Sequence, residues 1–234
     1  MAIVTALPAR SADDTSSVPS RAAADRSAYV APISNKELYS ADEGSYFMGL
    51  TPTPGTGVIG AASMTAFVTT TPIMVVYNGD TTKRLYPQFL NLYETVVSTS
   101  GARVQFTFYT DSANRYVSGG TALTISSTNS GGAANSTTAI HVGAVTASAA
   151  SAQVLIDHVV FRGTIDVVED CYEFVFGGVG GGNASASRVT TVQDFSRTLP
   201  PVCIMPGHSL CIYQWAASQA NAPTYEYRFG FMLR

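Results

Sequence analysis

The chain has 234 residues, of which only 12% are charged, about half the share usual for a soluble domain, and its net charge is −3. That length suffices for one large domain or two small ones with a substantial core. The balance excludes a block of like charges to grip nucleic acid, a run of about 18 apolar residues to span a membrane, and disorder throughout. Lys36 and Lys83 are the only lysines, and Ala, Thr and Ser fill the gap. A soluble monomer ordinarily carries a more charged surface. Part of this surface is therefore expected to lie against another protein subunit.

In chain order, the first segment differs from everything after it. Residues 1–45 are rich in Ala, Ser and Pro and show no period of 2 or 3.6. Ser20 to Ala28 has the composition of a short helix. Pro8 and Arg10 interrupt the short apolar start, so no cleavable signal peptide is expected. The segment reads either as a disordered tail or as an extended arm that orders against neighbouring subunits. Fully extended it reaches up to roughly 150 Å. Arg10, Arg21, Arg26 and Lys36 face Asp13, Asp14, Asp25, Glu37, Asp42 and Glu43. An acidic arm cannot neutralise phosphates, so genome packaging is not expected of it. Its docking positions are expected at the apolar and proline residues: Pro8, Val18, Pro19, Tyr29, Val30, Pro32, Ile33, Leu38 and Tyr39.

From residue 46 to 234 the period is 2 wherever one can be read. Val104, Phe106 and Phe108 share a face against Arg103, Gln105, Thr107 and Tyr109. Tyr225, Tyr227, Phe229, Phe231 and Leu233 share another. Further strands are predicted at 72–78, 88–98, 121–125, 140–146, 153–162, 171–176, 187–193, 202–205 and 209–216, most of them rich in Val, Ile, Thr, Tyr and Phe. Asn78-Gly79-Asp80, Ser118-Gly119-Gly120 and Pro206-Gly207 supply turns between them. Ser126 to Ser136 and Gly177 to Ala186 read as surface loops. So many strands without a long amphipathic helix indicate an all-β domain, a jelly-roll β-sandwich carrying an extended N-terminal arm.

Chemistry-bearing residues are sparse. His141 alternates with Ile140 and Val142 and so points to the other side of its strand. Asp157 and His158 are adjacent on a strand and point to opposite faces, so they form no dyad. His208 is explained by the Pro206-Gly207 turn. Neither C-x-x-C nor H-E-x-x-H occurs, and the histidine spacing does not suit a cupin, so no metal or other cofactor is expected. Gly207-His208-Ser209-Leu210-Cys211 lacks the second glycine of a nucleophile elbow. Gly177 to Gly182 is followed by no Lys-Ser/Thr, so it is not a phosphate loop. Cys171, Cys203 and Cys211 read as small hydrophobes, with Cys203–Cys211 the one pair whose turn would allow a bridge. The sequons at Asn135 and Asn183 lie in Ser/Thr-rich loops. Asp166, Glu169, Asp170 and Glu173 cluster as an acidic turn, and paired carboxylates for glycoside hydrolysis stay open. Tyr109, Tyr116, Tyr213 and Trp215 are the aromatics available to a sugar platform, although Tyr213 and Trp215 at strand spacing suit a core or interface.

The most specific pattern lies near the C-terminus. Leu199-Pro200-Pro201-Val202-Cys203-Ile204-Met205-Pro206-Gly207-His208-Ser209-Leu210-Cys211-Ile212-Tyr213-Gln214-Trp215 precedes the small-residue stretch Ala216-Ala217-Ser218-Gln219. The chain then closes on Tyr225-Glu226-Tyr227-Arg228-Phe229-Gly230-Phe231. This strand, Pro-Gly turn, strand, loop and aromatic last strand resembles the end of jelly-roll virion proteins of tailed bacteriophages. Asn114-Arg115-Tyr116-Val117-Ser118-Gly119-Gly120-Thr121 resembles a segment of such proteins too, and the likeness runs over about residues 85–234. The resemblance implies a non-enzymatic capsid decoration (cement) protein located in the virion and assembled in the host cytoplasm. It implies homo-oligomers, trimers foremost, partnered by the major capsid protein or other virion proteins. The alternatives are a tail or head-fibre component that binds carbohydrate and, third, a cupin-like or hydrolytic enzyme.

Overall fold

A computed structural model describes residues 40–60, 65–97, 104–161, 168, 170–177, 194–216 and 222–234. The nine expected docking positions of the arm, Pro8 through Tyr39, lie outside the described residues. So do Arg103, Asp166, Glu169, Asn183 and the strand expected at 187–193.

Thirteen strands run through the described residues: β1 (Tyr46–Leu50), β2 (Val58–Ile59), β3 (Met74–Asn78), β4 (Leu85–Val96), β5 (Val104–Asp111), β6 (Tyr116–Ala122), β7 (Thr124–Ser127), β8 (Thr138–Ala147), β9 (Val154–Phe161), β10 (Cys171–Phe176), β11 (Asp194–Leu199), β12 (Ser209–Trp215) and β13 (Thr224–Leu233). They form a seven-stranded sheet, ordered β11-β10-β4-β13-β1-β7 with β2 on β13, and a six-stranded sheet, ordered β6-β8-β3-β12-β5-β9. The fold is an all-β sandwich of jelly-roll type. Its centre is β10-β4-β13-β1 facing β3-β12-β5-β9, and the chain changes sheet at almost every step between them.

The two alternations read from the sequence make the core. Tyr225, Tyr227, Phe229 and Phe231 point inward from β13, and Val104, Phe106 and Phe108 from β5. Phe174 of β10 sits between the sheets, 4.9 Å from the ring of Phe108 and 5.1 Å from that of Phe106. Each fully buried aromatic of this kind contributes roughly 1.5–3 kcal/mol by leaving water.

Three features differ from the expected strands. The strand expected at 121–125 is broken at Leu123, which is buried while its N–H donates to Ile140. The break ends β6 on one sheet and starts β7 on the other, so a single segment covers the outer edges of both β8 and β1. At 202–205 only Ile204 pairs, through a single bridge to Leu85. After 187–193, which lie outside the described residues, β11 runs parallel to β10, the one parallel pairing among the described strands.

Candidate interaction surface

The outward positions of β3, β12 and β5 follow from the register. They are Val75 and Tyr77, Ser209, Cys211, Tyr213 and Trp215, and Gln105, Thr107, Tyr109 and Asp111. The one charged member, Asp111, is buried against Arg115, so none of these positions presents a charge to solvent. Val75, Val145, Cys211 and Tyr213 form a second hydrophobic cluster on this outer side, separate from the core between the sheets. Phe67, from the segment before β3, lies over it, with ring centroids 5.0 Å from Tyr213 and 5.7 Å from Tyr109. The neighbouring strand β9 is the edge of the sheet. There Leu155 is in register with Tyr109, His158 with Thr107 and Val160 with Gln105. Val154, Leu155 and Val160 are 59%, 53% and 38% exposed. β9 has no further strand beside it among the described residues, and although an irregularity between Leu155 and Asp157 interrupts it, it sets a row of exposed apolar side chains along the sheet edge.

One buried network positions this face. The Arg115 guanidinium meets the Asp111 carboxylate at 2.8 Å, and both side chains are fully buried. Arg115 also donates to the carbonyls of Ser148 and Thr69. Asp111 accepts N–H bonds from Ala113, Ser151 and Ala152. Burial by itself raises the Asp111 pKa, but the N–H bonds and Arg115 outweigh it and hold the carboxyl below its usual range. The network ties residues 148–152 and 69 to the end of β5. Thr69 also accepts the Tyr213 hydroxyl at 2.9 Å. Phe67 is thereby held where it packs.

The residues singled out from the sequence fall in separate places. His141 is half-buried and stacks on Tyr116 at 3.6 Å, and burial lowers its pKa. His158 shares a 2.9 Å hydrogen bond with Thr107, and Trp215 lies 6.0 Å from its ring. Asp157 accepts the His158 backbone N–H, so the two side chains form no dyad. His208 closes the Pro206-Gly207 turn, its N–H donating to Met205. Ser209 is buried, donating to the Ala113 carbonyl and accepting the Arg115 N–H. Cys211 is buried and its thiol is pushed up to about 12, mainly by desolvation. Cys171, Cys203 and Cys211 are all free, and Cys203 is exposed where the sequence suggested a small buried residue. Asn135 spends its side chain on the Thr137 and Thr138 N–H groups and the Thr138 hydroxyl. Of the four aromatics available for a sugar platform, Tyr213 is buried beneath Phe67 and Tyr116 is covered by His141. Asp170 is buried and Glu173 half-buried, on opposite sides of the start of β10. Among the described residues no group of three or more His, Cys, Asp or Glu could hold a metal ion, and no helix is long and apolar enough to cross a membrane.

Sequence reasoning found Tyr109, Tyr213 and Trp215 but not their partner Phe67, which sits in a stretch with no readable period. It also passed over Asp111 and Arg115 as a pair, although a spacing of four in a charge-poor chain was the available signal. Compared with known protein families, curated proteins and solved structures, the chain has no significant match.

Proposed function

We propose that this protein is a non-enzymatic structural component of a virion, of the capsid decoration type, working through subunit interfaces. The observation that carries the reading is the uncharged outer side of the six-stranded sheet, continued by the exposed Leu155 and Val160 of β9. Its occupant is a second copy of the same chain. Copies meeting there bury apolar area at about 25 cal/mol per Å² and bring no charge into repulsion. A homotrimer is the favoured assembly. The major capsid protein or another virion protein is the further partner, and many identical contacts on a shell add through multivalency.

Two measurements test this. Sedimentation velocity of the purified chain at micromolar concentration is expected to show a trimer, and a stable monomer would overturn the self-association. Electron cryomicroscopy of the native particle is expected to show the sandwich as repeated density on the shell. A particle that lacks it would overturn the virion role.

A further inference from the structure

The point where the arm joins the sandwich is well defined. Ser40 is fully buried, and its hydroxyl meets the Met232 sulfur at 3.0 Å and the Arg234 guanidinium at 2.8 Å. Glu43 holds the same guanidinium at 3.2 Å. Met232 faces outward from β13, in register with Tyr46 of β1 and Tyr86 of β4. Ser40 is therefore anchored on the outer side of the seven-stranded sheet, beside those two tyrosines.

The same two tyrosines line a groove of about 400 Å³. Its lining continues over Gln88 and Phe89 of β4 to Glu173 and Val175 of β10. Gly230 gives it depth. A Cβ at that position would stand 2.5 Å from the Phe89 ring and 2.9 Å from the Tyr46 hydroxyl, so only glycine lets both rings lie this low on the sheet. The groove is lined by aromatic rings, prolines and valines, with one carboxylate. Glu173 is half-buried, in register with Asn91 on one side and Ser196 on the other, neither of them a cation. Arg228 is the nearest outward cation in that row, two strands away at roughly 10 Å. A half-buried carboxylate among aromatic rings calls for an incoming ammonium or guanidinium with apolar neighbours.

We infer that this groove seats the root of the chain's own arm, residues 35–39, with Leu38 and Tyr39 against Tyr46, Tyr86 and Phe89 and the Lys36 ammonium at Glu173. From Ser40 the way to Glu173 is two strands across and about four residues along, on the order of 16 Å. Four extended residues span about 13 Å, and the lysine side chain covers the remainder. Attachment at the groove's own rim gives the segment a millimolar-scale effective concentration there, well above what a separate peptide reaches. The rest of the arm, with Pro8, Val18 and Pro19, then starts from a fixed direction. This holds whether or not the protein decorates a shell.

The two-lysine composition makes the test clean. Zero-length carbodiimide coupling of the full chain, mixed half-and-half with ¹⁵N-labelled protein and mapped by mass spectrometry, is expected to join Lys36 to Glu173 within one chain and to lose that product in Glu173→Gln. Tryptic cleavage after Lys36 is expected to be at least tenfold slower than after Arg26, and Glu173→Arg is expected to remove the difference. A cross-linked peptide pair of which half carries one labelled and one unlabelled member, the ratio for coupling between chains, would give the groove to a neighbour's arm and overturn the inference. So would a Lys36 site cut as fast as Arg26 in the full chain.

Discussion

The two outer faces of the sandwich are made on the same pleat and carry opposite chemistry. On the seven-stranded sheet the outward positions include Glu173, Glu226 and Arg228, and Glu226 accepts the Gly55 N–H. On the six-stranded sheet the one charged outward position of β3, β5 and β12, Asp111, is buried against Arg115, and aromatic rings pack there under Phe67. Among the described strands the solvent-facing charges of β10 and β13 therefore have no counterpart on β3, β5 and β12, which is the arrangement expected when one side meets water or the chain's own arm and the other meets protein.

The largest expected effect comes from removing the support of the uncharged face. Arg115→Met leaves the Asp111 carboxylate buried without its cation, which costs about 3–5 kcal/mol. Urea unfolding would read this as a lower midpoint with an unchanged slope. The double variant Asp111→Leu/Arg115→Met is expected to recover much of the loss, because no lone charge is left inside. The pH dependence has a definite sign. Asp111 has a folded pKa below its ordinary 3.8, so its contribution is full above that value and is lost as pH falls through the lower folded one. The wild type should therefore lose stability on acidification below about pH 4, more steeply than the double variant.

Next is assembly. Leu155→Glu puts a charge in the middle of the exposed row of β9 and is expected to weaken self-association at least 100-fold, about 2.7 kcal/mol, read by sedimentation velocity. The same change at Val96, equally exposed at the end of β4 in the other sheet, is expected to leave association unchanged. Equal effects at the two positions would erase the distinction between the faces.

How far the sequence already held this comparison depends on the range of each interaction. The inward rows of β5 and β13 were legible because a period of 2 is local to the strand. So was Tyr109 as a member of the row opposite Val104, Phe106 and Phe108, while Tyr213 and Trp215 read as core or interface. β8 was legible as a strand at 140–146, but the detour by which β6 and β7 flank β8 and β1 was not, because pairing Thr121 with Val142 and Phe47 with Ser127 joins strands whose fit is decided by neighbours and not by propensity. β6 itself, Tyr116–Ala122, is mostly exposed and turns on Gly119 and Gly120, both at positive φ, which hides it as loop-like sequence. The parallel β11 carries Asp194, Ser196 and Arg197, a composition of turns, and becomes a strand only because β10 lies beside it. Which outward row belongs to which face could not be known before the sheet order was.

A smaller effect is expected at Phe67. It covers Tyr109 and Tyr213 from outside and is only partly buried, so Phe67→Ala is expected to cost about 1–2 kcal/mol, less than a fully enclosed phenylalanine. Thermal unfolding measures the loss. A rise in binding of a hydrophobic dye should accompany it, since the tyrosines beneath become accessible while the core between the sheets stays closed.

The smallest expected effect tests the charged face. Glu226→Gln keeps an oxygen to accept the Gly55 N–H and removes only a half-buried charge at the surface. Stability is expected to change by less than about 0.5 kcal/mol, and the oligomeric state not at all. A null result at Glu226 together with a large one at Leu155 is what an interface confined to the six-stranded sheet requires. If Glu226→Gln instead strengthens association, the charge there was holding copies apart, and the seven-stranded face, not the aromatic one, is the surface on which they meet.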